Sequence, residues 1–228
     1  IWTAEDPVEI TQYGLRQVQV KTAIGYTFAN AMRSFLRADP DVIMVGEMRD
    51  KETAAIGIEA SLTGHLVFST LHTNSAPETV VRLLDMGMDP YNFANALLGI
   101  LAQRLVKTLC SSCKTEHHPS PEEFQELRHE YGEDLFDQQG YQYTQDLKIF
   151  QAKGCEKCGK TGYKGRCGIH ELLLGTEKIR QMIIEGARVE EIRDTGLKQG
   201  MTTLKQDGIY KIFQGLTDLT QVRKVCIK

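Results

Sequence analysis

Long apolar runs are missing from this 228-residue chain. Uninterrupted stretches such as Val42 to Val45 and Leu172 to Leu174 fall far short of the roughly 20 residues that a membrane-crossing helix requires. A strong charge bias is missing too. Its 27 basic and 30 acidic side chains leave a net charge of −3, which excludes wholesale nucleic-acid binding through bulk electrostatics. There is no internal repeat, low-complexity tract or collagen-like period, and 41% apolar with 25% charged residues excludes intrinsic disorder. Neither an initiator Met nor a signal peptide precedes IWTAED, so the chain is expected to be cut from something longer. The charge that is present is unevenly spread: residues 116–146 hold nine acids and one base, an acidic insert in a mildly basic remainder.

From Ile1 to about Leu109, strand-like runs (Val18 to Val20, Val42 to Val45, Leu66 to Leu71) alternate with helical patterns. This predicts an α/β fold on a mainly parallel sheet. Phe28, Met32, Phe35 and Leu36 recur at helical spacing as one apolar stripe, with Arg33 and Arg37 on the opposite side, open to a partner or a phosphate. The next helix runs from Asp50 as N-cap to Gly64 past its end. The one after opens at Ser75 with a capping box to Glu78 and closes at Gly87. Residues 110–165 read as a second unit, Cys-rich at both ends with an acidic, partly helical middle. From about Gly168, a strand-like Ile169 to Leu174 leads into short helices separated by Gly175, Gly186, Gly200 and Gly215. The expected domains are therefore 1–109, 110–165 and 166–228.

Cys110-Ser-Ser-Cys113 and Cys155-Glu-Lys-Cys158 are two C-x-x-C knuckles, the spacing of a tetrahedral four-cysteine zinc site. Each two-residue spacer lets a tight turn present two thiolates to one ion, and the second pair closes the shell, so the metal is expected to be structural. Four thiolates on Zn2+ leave a net −2, which Lys114, Lys153, Lys157 and Lys160 would offset. A redox dithiol needs only one such pair, and no secretion signal argues for disulfides. Cys167 and Cys226 are left as idle thiols. Residues 154–161 also spell G-x-x-x-x-G-K-T, the phosphate-loop pattern. Gly162, Gly165 and Gly168 follow where such a loop needs a helix, so a nucleotide role there is rejected.

Asp41 to Glu47 is an apolar strand delivering a carboxylate at its C-terminal end, where open α/β sheets bind ligands. Glu5, Asp6 and Glu9 crowd a segment that Pro7 breaks from regular structure, which favours a cation or a general-base role. A solvated turn and a buried strand ending in an acid are the plainer readings of the same letters. His65 and His72 bracket LVFSTL at a separation that puts them roughly 23 Å apart on opposite strand faces. One site is not expected to hold both: His72 belongs on the phosphate side and His65 elsewhere, at a subunit contact.

Together these motifs resemble one family, the secretion ATPases of bacterial type II secretion and type IV pilus assembly. TAEDPVE (3–9) resembles its aspartate box, RADPDVIMVGEMRD (37–50) its Walker B region and TGHLVFSTLHT (63–73) its histidine box. The two knuckles followed by GYKGRCGIHELL (162–173) resemble its zinc-bearing C-terminal region. The resemblance implies a partial RecA-like core of a P-loop NTPase (1–109), a tetracysteine zinc insert (110–165) and a small C-terminal helical subdomain (166–228). It implies ATP hydrolysis, with ATP, Mg2+ and structural Zn2+ bound. Catalytic roles fall to Glu47 near Mg2+, Glu9 as base for the attacking water, and His72 as sensor of the γ-phosphate. Nucleotide or neighbour contacts fall to Glu5, Asp6, Arg33, Arg37, Arg49 and His65, and metal ligation to Cys110, Cys113, Cys155 and Cys158.

The resemblance further implies a homo-oligomer, a hexameric ring on the cytoplasmic side of the inner membrane that works on a membrane platform protein and binds no nucleic acid. The family's phosphate loop lies upstream of the aspartate box and is not among these residues, so the isolated chain is expected to bind ATP weakly and hydrolyse essentially none. Retraction motors share the three boxes but lack the metal insert, which points residues 110–158 to the secretion or extension branch. The competing function is a zinc-stabilised interaction module whose metal holds an acidic docking surface. Nucleic-acid binding through the knuckles is disfavoured, because the acidic insert repels phosphate.

Overall fold

The computed structural model describes residues 1–226. In chain order its elements begin with β1 (Trp2–Glu5), β2 (Arg16–Gln19), α1 (Phe28–Phe35), β3 (Val42–Val45), α2 (Lys51–Leu62), β4 (Leu66–Ser69), α3 (Ala76–Asp85) and α4 (Pro90–Ala96). There follow β5 (Gly99–Leu109), β6 (Thr115–His117), α5 (Pro121–Tyr131), α6 (Glu133–Gln138), β7 (Ile149–Gln151) and β8 (Tyr163–Leu174). The chain closes with α7 (Glu177–Ile184), α8 (Val189–Lys198), α9 (Leu204–Phe213) and α10 (Leu219–Val225). Two compact units result: Ile1–Ile100 with Leu173–Gln199, and Leu101–Leu172 with the chain from Gly200 onward.

The first unit is built on a four-stranded sheet in the order β2-β1-β3-β4, every pairing parallel. Side chains alternate along each strand, so Ala4, Ile43 and Val45 enter a core with Met32 and Phe35 of α1 and Ile56 and Ala60 of α2. The Trp2 ring sits 5.1 Å from that of Phe35. On the opposite face Leu66 and Phe68 are exposed, while Val42 and Met44 are half-buried. Side-chain caps hold the helices at their predicted starts. The Asp50 carboxylate accepts from the Thr53 amide at 2.8 Å, and the Ser75 hydroxyl accepts from the Glu78 amide at 3.3 Å. Glu78 reaches back to the Asn74 amide at 3.1 Å, one residue further than a capping box requires. Gly64 and Gly87 take positive φ just past α2 and α3, a conformation that costs glycine little.

In the second unit β5 pairs with β8, and β6 pairs antiparallel with β7. The acidic middle of the insert forms α5 and α6. Phe124, Leu127 and Tyr131 fall on one face of α5 and are buried with Phe136, Ile149, Ile209, Ile212 and Val222. Apolar residues of the insert and of the C-terminal helices α9 and α10 thus share a single core. The insert's acids face bases from the same unit. Arg223 pairs with Glu126 and Glu130, Lys205 with Glu130 at 3.2 Å, and Arg128 with Asp137 at 2.7 Å.

Candidate functional site

A sheet ordered β2-β1-β3-β4 changes direction of winding between β1 and β3, and ligands of open α/β sheets bind at the carboxyl ends of strands flanking such a switch. There the Gly46 amide donates to the Ala4 carbonyl at 2.7 Å, so Glu5 and Asp6 leave β1 beside Glu47 leaving β3. The β3–β4 pairing runs past its own ends. The Met48 amide donates to the Thr70 carbonyl at 3.0 Å, and the Thr70 hydroxyl donates to the Gly46 carbonyl. Glu47 is clamped between those two bonds, and His72 is delivered to it from β4.

The Glu47 side chain is only 12% exposed; it forms an ion pair with Arg49, and its Oε2 lies 3.4 Å from His72 Nε2. That Oε2 accepts no hydrogen bond. The Arg49 guanidinium holds the Glu47 carboxyl below the usual range despite partial burial, with His72 adding to the effect. Glu47 in turn raises Arg49, and Asp6 contributes to the same field. A buried carboxylate oxygen held only by a long contact to an imidazole is costly until a cation reaches it. This orphaned oxygen is the feature that fits Mg2+, a hard cation bound through carboxylates.

The other expected residues are placed as follows. Glu5 accepts from the Thr3 hydroxyl and from the Gln17 amide. Glu9 is exposed on the segment between β1 and β2; with Glu5, Ile10, Gln17, Met44 and Phe68 it lines a hollow of about 450 Å³ on the open sheet face. Arg33 is not open, as its helix position predicts, but paired with Glu52 at 2.5 Å, because α2 brings Glu52 alongside α1. Arg37 is exposed one turn further on. His65 lies at the opposite end of β4 from His72, its Nδ1 2.9 Å from the Ala60 carbonyl at the C-terminal end of α2.

The second constellation is the cysteine cluster. The Sγ atoms of Cys110, Cys113, Cys155 and Cys158 all lie within 4.8 Å of one another. Cys110 to Cys155 is 4.0 Å, Cys113 to Cys158 is 3.9 Å and Cys155 to Cys158 is 3.8 Å. A tetrahedron with Zn–S bonds of about 2.3 Å has edges of about 3.8 Å, so the donor set fits one ion. The amides of Cys155 and Gly162 donate to Cys158 Sγ at 3.2 and 3.3 Å. These two donors, Cys155 foremost, pull the Cys158 thiol down to about 6, whereas burial pushes Cys113 up to about 12. Lys114 does not serve the sulfurs as its position predicts. Its ammonium donates to the Gly215 carbonyl at 2.7 Å and sits 4.3 Å from the Phe150 ring centroid. Behind G-x-x-x-x-G-K-T comes strand β8 rather than a helix, so the pattern lacks the helix N-terminus that binds phosphate.

A family model described as "Type II/IV secretion system protein" matches residues 1–224. The chain belongs to that family. Among relatives in the family, the type IV pilus assembly ATPase PilB of Thermus thermophilus is 48% identical over 220 residues, 96% of this chain and 24% of that protein. The type II secretion system ATPase E of Vibrio cholerae is 44% identical over 225 residues, 99% of this chain and 42% of that protein. The chain therefore spans less than half the length of either relative. Of solved structures, the pilus retraction motor PilT with bound ADP superposes with a TM-score of 0.65 at 27% identity, covering 99% of this chain and 52% of that one. The Legionella pneumophila ATPase DotB superposes at 0.63 with 22% identity, over 98% and 50%, a likeness of fold alone.

Within this family frame, two residues that bind the site together escape sequence reasoning. Thr70 sits inside the histidine-box letters, but its bond to Gly46 depends on strand register. Gln17 carries no local signal at all.

Proposed function

We infer that the chain is part of an ATP-hydrolysing motor subunit that powers type II secretion or type IV pilus assembly. Residues 1–109 would form part of a RecA-like core, 110–165 a zinc insert and 166–228 a helical subdomain. The observation that carries this reading is the hydrogen-bond-free Glu47 Oε2 at the strand switch point, with His72 against it and Glu5 and Asp6 alongside. Glu47 would hold Mg2+, which when bound neutralises developing charge on phosphoryl oxygens. Arg49 keeps Glu47 ionised for that task. Glu9, exposed on its loop, takes the proton of the attacking water, and His72 donates to a γ-phosphate oxygen. Of the three arginines, exposed Arg37 is the cation open to phosphate or to a neighbouring subunit, whereas Arg33 and Arg49 would first have to leave Glu52 and Glu47.

The four cysteines would hold Zn2+, which supplies a fixed tetrahedral brace for the two knuckles. The working assembly in this reading is a hexameric ring on the cytoplasmic side of the inner membrane, engaging a platform protein. Among the described residues no helix is long and apolar enough to cross a membrane. Without phosphate-loop amides and lysine, the chain alone binds ATP weakly and turns over essentially none. The test is Glu47→Gln in the complete motor. Ring assembly should persist while ATP hydrolysis falls by about 100-fold or more and secretion or pilus extension stops. Unchanged transport would leave the chain only a docking role.

A further inference from the structure

The segment from Asp6 to Leu15 carries Glu9, yet holds itself with little: the Leu15 amide donates to the Gln12 carbonyl at 3.3 Å. Gln17 supplies further anchors. Parallel pairing sets Thr3 opposite Gln17, so Thr3, Glu5 and Gln17 project from the same face of the sheet. Gln17 Nε2 donates to Glu5 Oε1 and to the Ile10 carbonyl, both at 3.0 Å, while its Oε1 accepts from the Gln12 amide at 2.6 Å. The partners themselves fix which amide atom is which, since a carboxylate and a carbonyl only accept and a backbone N–H only donates. One side chain thus ties the carboxylate at the end of β1 to both ends of the Ile10–Gln12 stretch, immediately after Glu9. Gln17, Glu5 and Glu9 line the same hollow.

We propose that Gln17 is a positioning residue for hydrolysis: through Ile10 and Gln12 it fixes the reach of Glu9 toward the water, and it locks the Glu5 carboxylate at the sheet edge. This rests on the reading of Glu9 as base. Leucine at position 17 keeps the bulk but makes none of the three bonds. Glutamate keeps the acceptor for Gln12 but loses both donors and sets a second carboxylate against Glu5. Glu5 and Glu9 are the titratable side chains that line the hollow with it. Two adjacent carboxylates share a proton more readily than either alone, so lower pH restores an O–H donor between positions 17 and 5.

The experiment measures kcat, KM for ATP and melting temperature in the complete motor for Gln17→Leu, Gln17→Glu and Glu9→Gln. Both Gln17 variants should lose about 10- to 100-fold in kcat, the scale expected of a base misplaced by about 1 Å, with KM little changed. Gln17→Glu alone should recover part of its loss relative to the parent as pH falls from about 7 to 5. Parental kcat in Gln17→Leu, while Glu9→Gln is inactive, overturns the proposal and leaves the base assignment standing. So does a loss confined to melting temperature, or a Gln17→Glu pH profile parallel to the parent's. Parental kcat in Glu9→Gln overturns the base assignment and this proposal with it.

Discussion

Chelating the metal from the cysteine cluster should unlock two loops and little else. The sulfurs stand 3.8 to 4.0 Å apart along three of their edges. Two unit charges at that distance repel by about 4 kcal/mol at an effective dielectric near 20, so without the ion the sulfurs take up protons, Cys113 first, and the metal–sulfur bonds that joined the two knuckles are gone. What remains to hold the knuckles is the Cys110 amide on the Gly162 carbonyl at 2.8 Å, the Lys114 anchor on Gly215 and the β6–β7 ladder of three residue pairs, and a two-stranded ribbon that short is marginal by itself. The helices of the insert are different. Phe124, Leu127, Tyr131 and Phe136 are buried against Ile209, Ile212 and Val222, and each such side chain contributes on the order of 2 kcal/mol.

Hydrogen exchange with and without a strong chelator, under thiol reductant, reads the outcome directly. The amides of Cys113, Lys114, Lys160 and Gly162, each of which bonds within its own knuckle, should exchange about 100-fold faster once the metal is gone. Amides in α5 and in the parallel sheet should change by less than about threefold. Equal loss of protection throughout α5 would show that the metal organises the core itself. Unchanged exchange at the knuckles would show that the cluster holds nothing together.

Three further outcomes are expected. A Cβ at Gly208 in α9 would stand 2.6 and 2.9 Å from the two Val222 methyl carbons of α10. Gly208→Ala gains about 1 kcal/mol of helix propensity against about 1–3 kcal/mol of overpacking, so its melting temperature should fall; a rise would contradict the close packing. Arg223→Ala leaves Glu130, which is 14% exposed, with Lys205 alone; it should cost about 1–2 kcal/mol in denaturant melts, and a neutral result would show that Lys205 suffices. Burial pushes Glu130 up, but Arg223 and Lys205 more than reverse it, and Arg128 lowers Asp137. A carboxylate depressed in the folded state stabilises fully above its unfolded value near 4 and loses that contribution as pH falls through the folded one. Melting temperature should therefore hold from about pH 7 to 5 and drop below about pH 4, whereas a flat profile to lower pH would contradict these pairings.

The parallel sheet and its helices are legible in the letters because their signals are short-range. Val42 to Val45 alternates between core and open face, Asp50 and Ser75 cap where capping chemistry puts them, and Gly64 and Gly87 end helices through a backbone conformation that glycine adopts freely. Cysteine spacing likewise announces two knuckles. Partnerships set only by tertiary folding are not legible. Arg33 meets Glu52 because α1 and α2 lie side by side, and Lys114 meets Phe150 and Gly215 because distant parts of the chain return to it. The packing of Phe124 and Leu127 on α9 and α10 has the same origin: an amphipathic helix shows that it has an apolar face, not what covers it. Gln17 and Thr70 belong here too, since strand register alone sets Gln17 against Glu5 and Thr70 against the Gly46 carbonyl.

The proposal that Glu47 and the Glu9 loop converge on one metal–nucleotide is tested most directly in crystals of the complete motor holding a non-hydrolysable ATP analogue and Mn2+, whose anomalous scattering locates the ion. The predicted result is an ion bound to the Glu47 carboxylate directly or through one water, within about 5 Å, with the Glu9 carboxylate facing the γ-phosphate. An ion bound with nucleotide beyond the reach of Glu47, or a Glu9 turned to an unrelated surface, would contradict it.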